Sequence, residues 1–355
     1  PNQSGTWRSN VLAISNNYDI KNGFAIDDFY KGGSGVAKAM TEGKHNVQLD
    51  TYEVTKIPTG GIVIGNNMYI FYMSIRRWNG WLVNYCGVIK SNTEKLNFER
   101  VYDLTWALTD GVSEVGANVG LPSNYVLADN DASLPILKRD ILDIANQDID
   151  GFNRTSNDKA YDGTNGIEGE KYVLDLENRV APNFGQIFPI DGKDGYIYIC
   201  GIPGGRSVGT KLGRVKVENF EDFQSYEYYT GTNKGVAQFV KGTDGLKAIF
   251  DNDDSFIIKE ACGELSFAYN EYLGKWMSIN AVGAGMHFRV ADNIYGPYGA
   301  PQTILHGNDV PTGQGNIYGG AIHEMMTKDN GKTFYFVMSQ WMPTYNSAII
   351  EVRLK

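Results

Sequence analysis

Tyr85-Cys86-Gly87-Val88-Ile89-Lys90-Ser91 is a short strand of small and apolar residues running into a polar turn, and the chain repeats it. The other copies are Asn10–Ser15, Lys211–Val217, Met286–Ala291 and Ser347–Arg353. Aligned on the fourth or fifth residue, they anchor at Ile14, Lys90, Arg214, Arg289 and Glu351, with gaps of 76, 124, 75 and 62 residues. Three gaps are near-equal, and the fourth is one period plus an insertion of roughly fifty residues. One small sheet cannot cover both its faces, so a multi-strand unit recurring at a fixed period stacks against its neighbours. Five copies predict an all-β chain: a five-bladed β-propeller forming a single domain over residues 1–355, with one mainly loop and helix insertion at 105–172.

The sequence around each phrase fills out the unit. Aromatic, alternating runs precede the last four copies: Met68–Trp78, Tyr196–Arg206, Glu264–Val282 and Lys332–Trp341. Upstream lie shorter strands, Ile57–Ile64, Asn183–Ile190, Gly263–Tyr269 and Ile317–Met325. Gly65-Asn66-Asn67, Asp191–Gly195, Asn270–Gly274 and Asp329-Asn330-Gly331 separate the two sets with hairpin chemistry. Each unit therefore reads as inner strand, second strand, phrase strand and a weaker outer strand. Only Pro1–Ser9 precedes the first phrase, so blade one lacks its inner strands and further sequence is expected upstream of Pro1. Within the insertion Leu134, Leu137, Ile141 and Ile144 share a helical face, with Ser133 as N-cap and Pro135 in the first turn. Asn146–Gly169 reads as a long loop over one face.

Composition agrees. The 42 glycines and 11 prolines supply turns, and 22 tyrosines with 16 phenylalanines favour strands. A net charge of −9, without a basic cluster, argues against a phosphate-binding surface, so nucleic acid is not an expected partner. No apolar run approaches the length of a membrane span. The opening Pro1-Asn2-Gln3-Ser4 has no signal-peptide pattern and looks like a processed, truncated or renumbered start. Cys86, Cys200 and Cys262 have unrelated spacings and read as buried small hydrophobes rather than disulfide or zinc partners. Asn146-Gln147-Asp148-Ile149-Asp150-Gly151 has calcium-loop spacing, but Asn157 stands where the twelfth-position Glu belongs. Calcium is a weak alternative to a solvated loop there and at Asp251–Asp254, and no other cofactor is expected. Nucleophile-elbow, Walker and dinucleotide motifs are absent from the sequence.

In a propeller the inner strands line a central channel, and here they offer Thr59, Gln186, Glu264 and His323 near their starts. A Glu in a polar cleft can act as a general acid, and can equally pair with an Arg to close the channel. The second-strand ends add Arg76, Arg77, Trp78, Arg206, Gln340 and Trp341. Such residues around a carboxylate suit a sugar site through stacking and multidentate hydrogen bonds, although the tryptophans suit packing between blades equally well. His323 fits a base, a channel metal ligand or a hydrogen-bonded structural residue.

Pro58-Thr59-Gly60-Gly61-Ile62, Tyr72–Trp78 and Asn84-Tyr85-Cys86-Gly87 resemble the bacterial domain-of-unknown-function family 4185. The resemblance continues through Gly201–Arg206, Gly263-Glu264-Leu265-Ser266, Tyr318-Gly319-Gly320, Ile322-His323 and Met338-Ser339-Gln340-Trp341. It implies a five-bladed propeller and, from members similar to endo-acting D-arabinan hydrolases, a secreted or cell-surface glycoside hydrolase of furanose-containing wall polysaccharide. It further implies that Glu264, Arg76, Trp78, Asn84, His323, Gln340 and Trp341 share a pocket. Glu264 would be a catalytic carboxylate, provisionally the general acid; Arg76 and Asn84 would orient hydroxyls, and Trp78 and Trp341 would stack on the sugar. Cys86 and Arg77 depart from the family's usual Ser and His. An aspartate-bearing stretch of the family pattern lies upstream of Pro1, where the second carboxylate that glycoside hydrolysis needs is expected, with Asp27 or Asp28 less favoured. A non-catalytic glycan-binding propeller, such as a surface or phage adhesin, is the alternative.

Overall fold

The computed structural model describes residues 9–17, 20, 25–41, 55–77, 82–107, 184–202, 206, 208–250, 252–310, 316–323, 327–342 and 345–355. Its strands fall into five antiparallel sheets, taken in chain order. Sheet I is the pair β1 (Ala13–Ile14) and β2 (Asp28–Phe29). Sheet II holds β3 (Thr55–Ile64), β4 (Asn67–Arg77), β5 (Leu82–Asn92) and β6 (Glu99–Ala107). Sheet III holds β7 (Gln186–Asp191), β8 (Tyr196–Ile202), β9 (Thr210–Lys216), β10 (Glu227–Asn233) and β11 (Val236–Lys241), with β12 (Phe256–Ile258) also pairing β9. Helix α1 (Gly242–Phe250) lies between β11 and β12 in sequence. Sheet IV is β13 (Leu265–Asn270), β14 (Lys275–Val282), β15 (Gly285–Ala291) and β16 (Gln302–His306); sheet V is β17 (Ile317–Ile322), β18 (Thr333–Gln340) and β19 (Asn346–Arg353). No helix among the described residues is long and apolar enough to cross a membrane.

The repeated phrase is the third strand of sheets II to V, falling on β5, β9, β15 and β19. Its first copy supplies only β1. Strand β6 runs to Ala107, so the first residues of the expected insertion complete sheet II. The remainder of that insertion, with its helix and calcium-like loop, lies outside the described residues. The hairpin β10–β11 and helix α1 extend sheet III beyond the expected four strands, with register Glu227↔Lys241 to Asn233↔Val236. Its turn is made by Lys234 and Gly235, both at positive φ.

Apolar side chains on both faces of the sheets form three successive cores. Phe71, Met73, Ile75 and Val88 of sheet II meet Ile187, Ile197 and Ile199 of sheet III. Cys200, Ile202 and Leu212 of sheet III meet Leu265 and Phe267 of sheet IV. Met277, Ile279 and Phe288 of sheet IV meet Phe334, Phe336 and Met338 of sheet V. Each such side chain contributes about 2 kcal/mol of burial. The N-terminal residues touch both ends of this series. Ile20 packs on Tyr335 and Ile349 of sheet V. Asn10 accepts from Met40 and Thr41 N–H at 2.8 and 3.0 Å and donates to Lys56 O at 3.3 Å, at the start of β3. Tyr30 meets Phe98 edge-on, 5.3 Å between ring centres. Cys86, Cys200 and Cys262 are free thiols, all buried.

The first strands of sheets II to V pack in sequence, β3 on β7, β7 on β13 and β13 on β17. Two of these approaches use a bulge. The β3–β4 ladder skips Thr59, whose Oγ1 accepts from Ile187 N–H at 3.3 Å. The β17–β18 ladder skips Gly320, whose carbonyl accepts from the Ser266 hydroxyl. Ser266 Oγ in turn accepts from Ile322 N–H at 3.0 Å. Gly60 must be glycine, because a Cβ there would lie 2.7 Å from both Ile187 O and Pro189 Cδ.

Candidate functional site

Antiparallel pairing places the start of each inner strand beside the end of the second strand. Thr55 lies opposite Ile75, Gln186 opposite Ile202, and Ile317 opposite Gln340. Glu264 immediately precedes β13, and its carbonyl accepts from Ala281 N–H at 3.2 Å near the end of β14. Since β13 and β17 run side by side in the same direction, these ends meet on one rim.

On that rim Arg206 and Glu264 bind each other. The guanidinium donates Nη2–H at 2.6 Å and Nε–H at 3.2 Å, both to Glu264 Oε1. Oε2 faces Gly319 N–H at 3.5 Å. Gly263 clears space for this pair: a Cβ there would lie 3.0 Å from Arg206 Cδ and 2.5 Å from Ala281 O. The guanidinium also stands 5.7 Å from the centre of the Tyr318 ring. Tyr318 and Tyr345 hydrogen-bond through their hydroxyls and meet edge-on, with ring centres 6.2 Å apart. Burial, then the bond to Tyr345, raises the Tyr318 phenol above its ordinary pKa, so it remains a neutral donor and acceptor. Trp341 and Tyr345 belong to the β18–β19 connection and are 51% and 59% exposed.

The pairing between sheets III and IV thus answers the question left open for Glu264: it does pair with an Arg. A guanidinium has no lone pair to receive a carboxyl proton, so a protonated Glu264 would carry its proton on Oε2. Trp341 is exposed rather than packed between sheets. Gln186 and Gln340 are buried at the rim ends of their strands. His323 is a correction. It follows the last residue of β17, five residues beyond Tyr318 and about 16 Å along an extended chain, so it is not at the strand's start. Its N–H donates to Tyr335 O at 2.9 Å, and burial lowers its pKa. Thr59 likewise sits within β3, at the bulge. Arg76, Arg77 and Asn84 lie on β4 and β5, but their side chains are outside the described residues, as is Trp78. Asp27 and Asp28 are engaged locally: Asp27 Oδ2 accepts from Asn16 N–H at 2.6 Å, and Asp28 pairs with Lys31. Among the described residues no group of three His, Cys, Asp or Glu side chains gathers to hold a metal ion. Asn252 of the Asp251–Asp254 run accepts from Asp254 N–H at 3.0 Å, capping a short 3₁₀ turn.

Neither Tyr318 nor Tyr345 was a site candidate from sequence, and the space that Gly263 leaves for Arg206 was not foreseen. One signal was available. The β18–β19 connection carries Trp341, Met342 and Tyr345, where a hairpin turn ordinarily carries Gly, Asn or Asp.

With the fold and this rim defined, the class can be stated: an all-β chain of sequential sheets with a carboxylate–guanidinium ion pair and exposed aromatics at one end. A family model described as "Domain of unknown function (DUF4185)" matches residues 1–128 and 152–351, and the chain belongs to that family. No curated relative matches the sequence. Among solved structures, similarity extends to a Bacteroides ovatus protein with a provisional hydrolase description, at 11% identity over 80% of this chain and 54% of that one, TM-score 0.43. A family 117 glycoside hydrolase from Zobellia galactanivorans is 11% identical over 87% of this chain and 75% of its own, TM-score 0.33. An exo-β-1,3-galactanase from Phanerochaete chrysosporium, with β-1,3-galactotriose, is 11% identical over 91% and 62%, TM-score 0.30. The chain spans about half the length of the first of these, and the named activities are those of the matched proteins.

Proposed function

We propose that this chain is a five-bladed propeller whose Glu264–Arg206 rim binds and hydrolyses a furanose-containing wall polysaccharide, D-arabinan foremost, outside the cell or at its surface. Five sequential sheets support the blade count, as do N-terminal residues that touch both sheet V and sheet II. The observation that carries the function is the convergence, at one rim, of a partly exposed carboxylate held by a guanidinium with exposed tyrosine and tryptophan. That combination gives directed hydrogen bonds to hydroxyls and a face for a sugar ring. The family resemblance supplies the arabinan specificity. Glu264 acts as one catalytic carboxylate, with Arg206 positioning it and Trp341 stacking on the sugar. Hydrolysis by this route needs a second carboxylate across the rim from Glu264.

A second reading draws on the same pair. A carboxylate already bonded to Arg206 presents acceptors to sugar hydroxyls without transferring a proton, which suits a non-catalytic glycan-binding propeller. Product analysis on arabinogalactan, with the full-length protein and its Glu264→Gln variant, separates the two. Cleavage by the wild type and a fall of about 10²- to 10⁴-fold in the variant support the hydrolase. Glycan binding without cleavage supports the second reading. Cleavage unchanged by the substitution removes Glu264 from its role, and absence of both binding and cleavage across a panel of wall glycans overturns both readings.

A further inference from the structure

The described residues with large exposed apolar side chains are mostly scattered, but Trp341, Met342 and Tyr345 gather in one hairpin connection on the Glu264 rim. Tyr345 is exposed yet fixed. Its hydroxyl bonds the Tyr318 hydroxyl, and its ring rests edge-on against the Tyr318 ring. Tyr318 is itself held on β17 opposite Ser339, with the Arg206 guanidinium beside its ring. Contacts therefore run from Tyr345 through Tyr318 and Arg206 to Glu264 on one rim. The steps between the first three are 6.2 and 5.7 Å, and the last is a 2.6 Å hydrogen bond. An exposed aromatic that is already immobilised loses little entropy on stacking, and a tyrosine pair offers hydroxyls beside its apolar face.

Resting on the functional reading above, we infer that Tyr345, buttressed by Tyr318, is a separate binding position for the next sugar unit of a linear neutral glycan. The rim then engages at least two consecutive units and discriminates by chain length. Tyr345 is the specificity-determining contact; Tyr318 positions it.

The test measures binding by calorimetry, and kcat/KM, on arabino-oligosaccharides of increasing length for wild type, Tyr345→Ala, Tyr345→Phe and Tyr318→Phe. A control is Tyr269→Ala, an exposed tyrosine five residues along from Glu264. For the wild type, affinity and kcat/KM rise as the glycan lengthens past the unit held at Glu264. Tyr345→Ala should lower the long-to-short ratio about tenfold, the size of one aromatic contact. Tyr345→Phe keeps the ring and should retain most of that ratio, and Tyr318→Phe should fall between the two. Tyr269→Ala should leave it unchanged. A wild-type ratio that is flat, or one that Tyr345→Ala does not move while the protein still binds or cleaves glycan, overturns this inference and leaves the Glu264 reading standing. Failure of the wild type to bind or cleave any glycan overturns both.

Discussion

Arg206 places two N–H donors on a single oxygen of Glu264, at 2.6 and 3.2 Å, and leaves the other oxygen facing Gly319 N–H at 3.5 Å. Lysine offers a point charge without the guanidinium's fixed fork, so Arg206→Lys keeps the charge and loses the orientation. Activity on arabinan should fall about tenfold or more through kcat, with a smaller change in KM. Steady-state kinetics on purified variant checks this. A KM effect alone would make Arg206 a substrate contact rather than a positioning residue.

Ser266 ties β13, which follows directly on Glu264, to β17, which carries Gly319. Its fully buried hydroxyl donates to Gly320 O and accepts from Ile322 N–H at 3.0 Å. Ser266→Ala leaves both backbone groups without that partner and should cost about 1–3 kcal/mol. Urea denaturation measures the loss. A variant as stable as the wild type would show that β13 and β17 are held by apolar packing alone.

Sequence revealed the third strands because the phrase there recurs at a near-constant period; β5, β9 and β15 are paired on both edges, whereas β19 is the edge of its sheet. It also put Glu264 correctly at the head of β13. Arg206 as its partner was hidden, since the contact depends on how sheet III packs on sheet IV rather than on any local spacing. His323 was misplaced although the start of its run was right: Ile317–Met325 begins where β17 begins, and His323, its seventh residue, lies past the strand's last residue, Ile322. The β10–β11 extension was obscured by the short 3₁₀ turns at Val217–Asn219 and Phe223–Ser225, which break the alternation just before it.

His287 and His323 set a pH dependence of stability. Burial holds both imidazoles below the ordinary 6.5, and Arg289 adds to the effect at His287. The unfolded chain takes up these protons as pH falls through 6.5, while the folded protein resists until lower pH. The stability the neutral rings confer is therefore complete above 6.5 and is lost as pH falls below it towards their folded values. Urea midpoints measured from pH 8 to pH 5.5 should decline below about 6.5. The decline should be shallower in a His287→Gln, His323→Gln double variant. Parallel curves for the two proteins would assign the acid sensitivity to other groups.

Asn280 is the clearest place where the fold carries a cost. It lies on β14 between Leu265 and His287, fully buried, and neither its amide nitrogen nor its amide oxygen has a hydrogen-bond partner. Ser278, two residues earlier on the same face, is also buried with an unbonded hydroxyl. Alternation puts both on the face shared with Leu265 and Phe267, towards sheet III, and Glu264 on the other. An unpaired buried polar group costs about 1–3 kcal/mol, and leucine has nearly the shape of asparagine without its polar atoms. Asn280→Leu should therefore raise stability by about 1–3 kcal/mol, read as a higher thermal midpoint at pH 7.5. A lower midpoint would mean that this amide is satisfied in solution by bound water that the leucine displaces, and that the interface between sheets III and IV is built around that hydration.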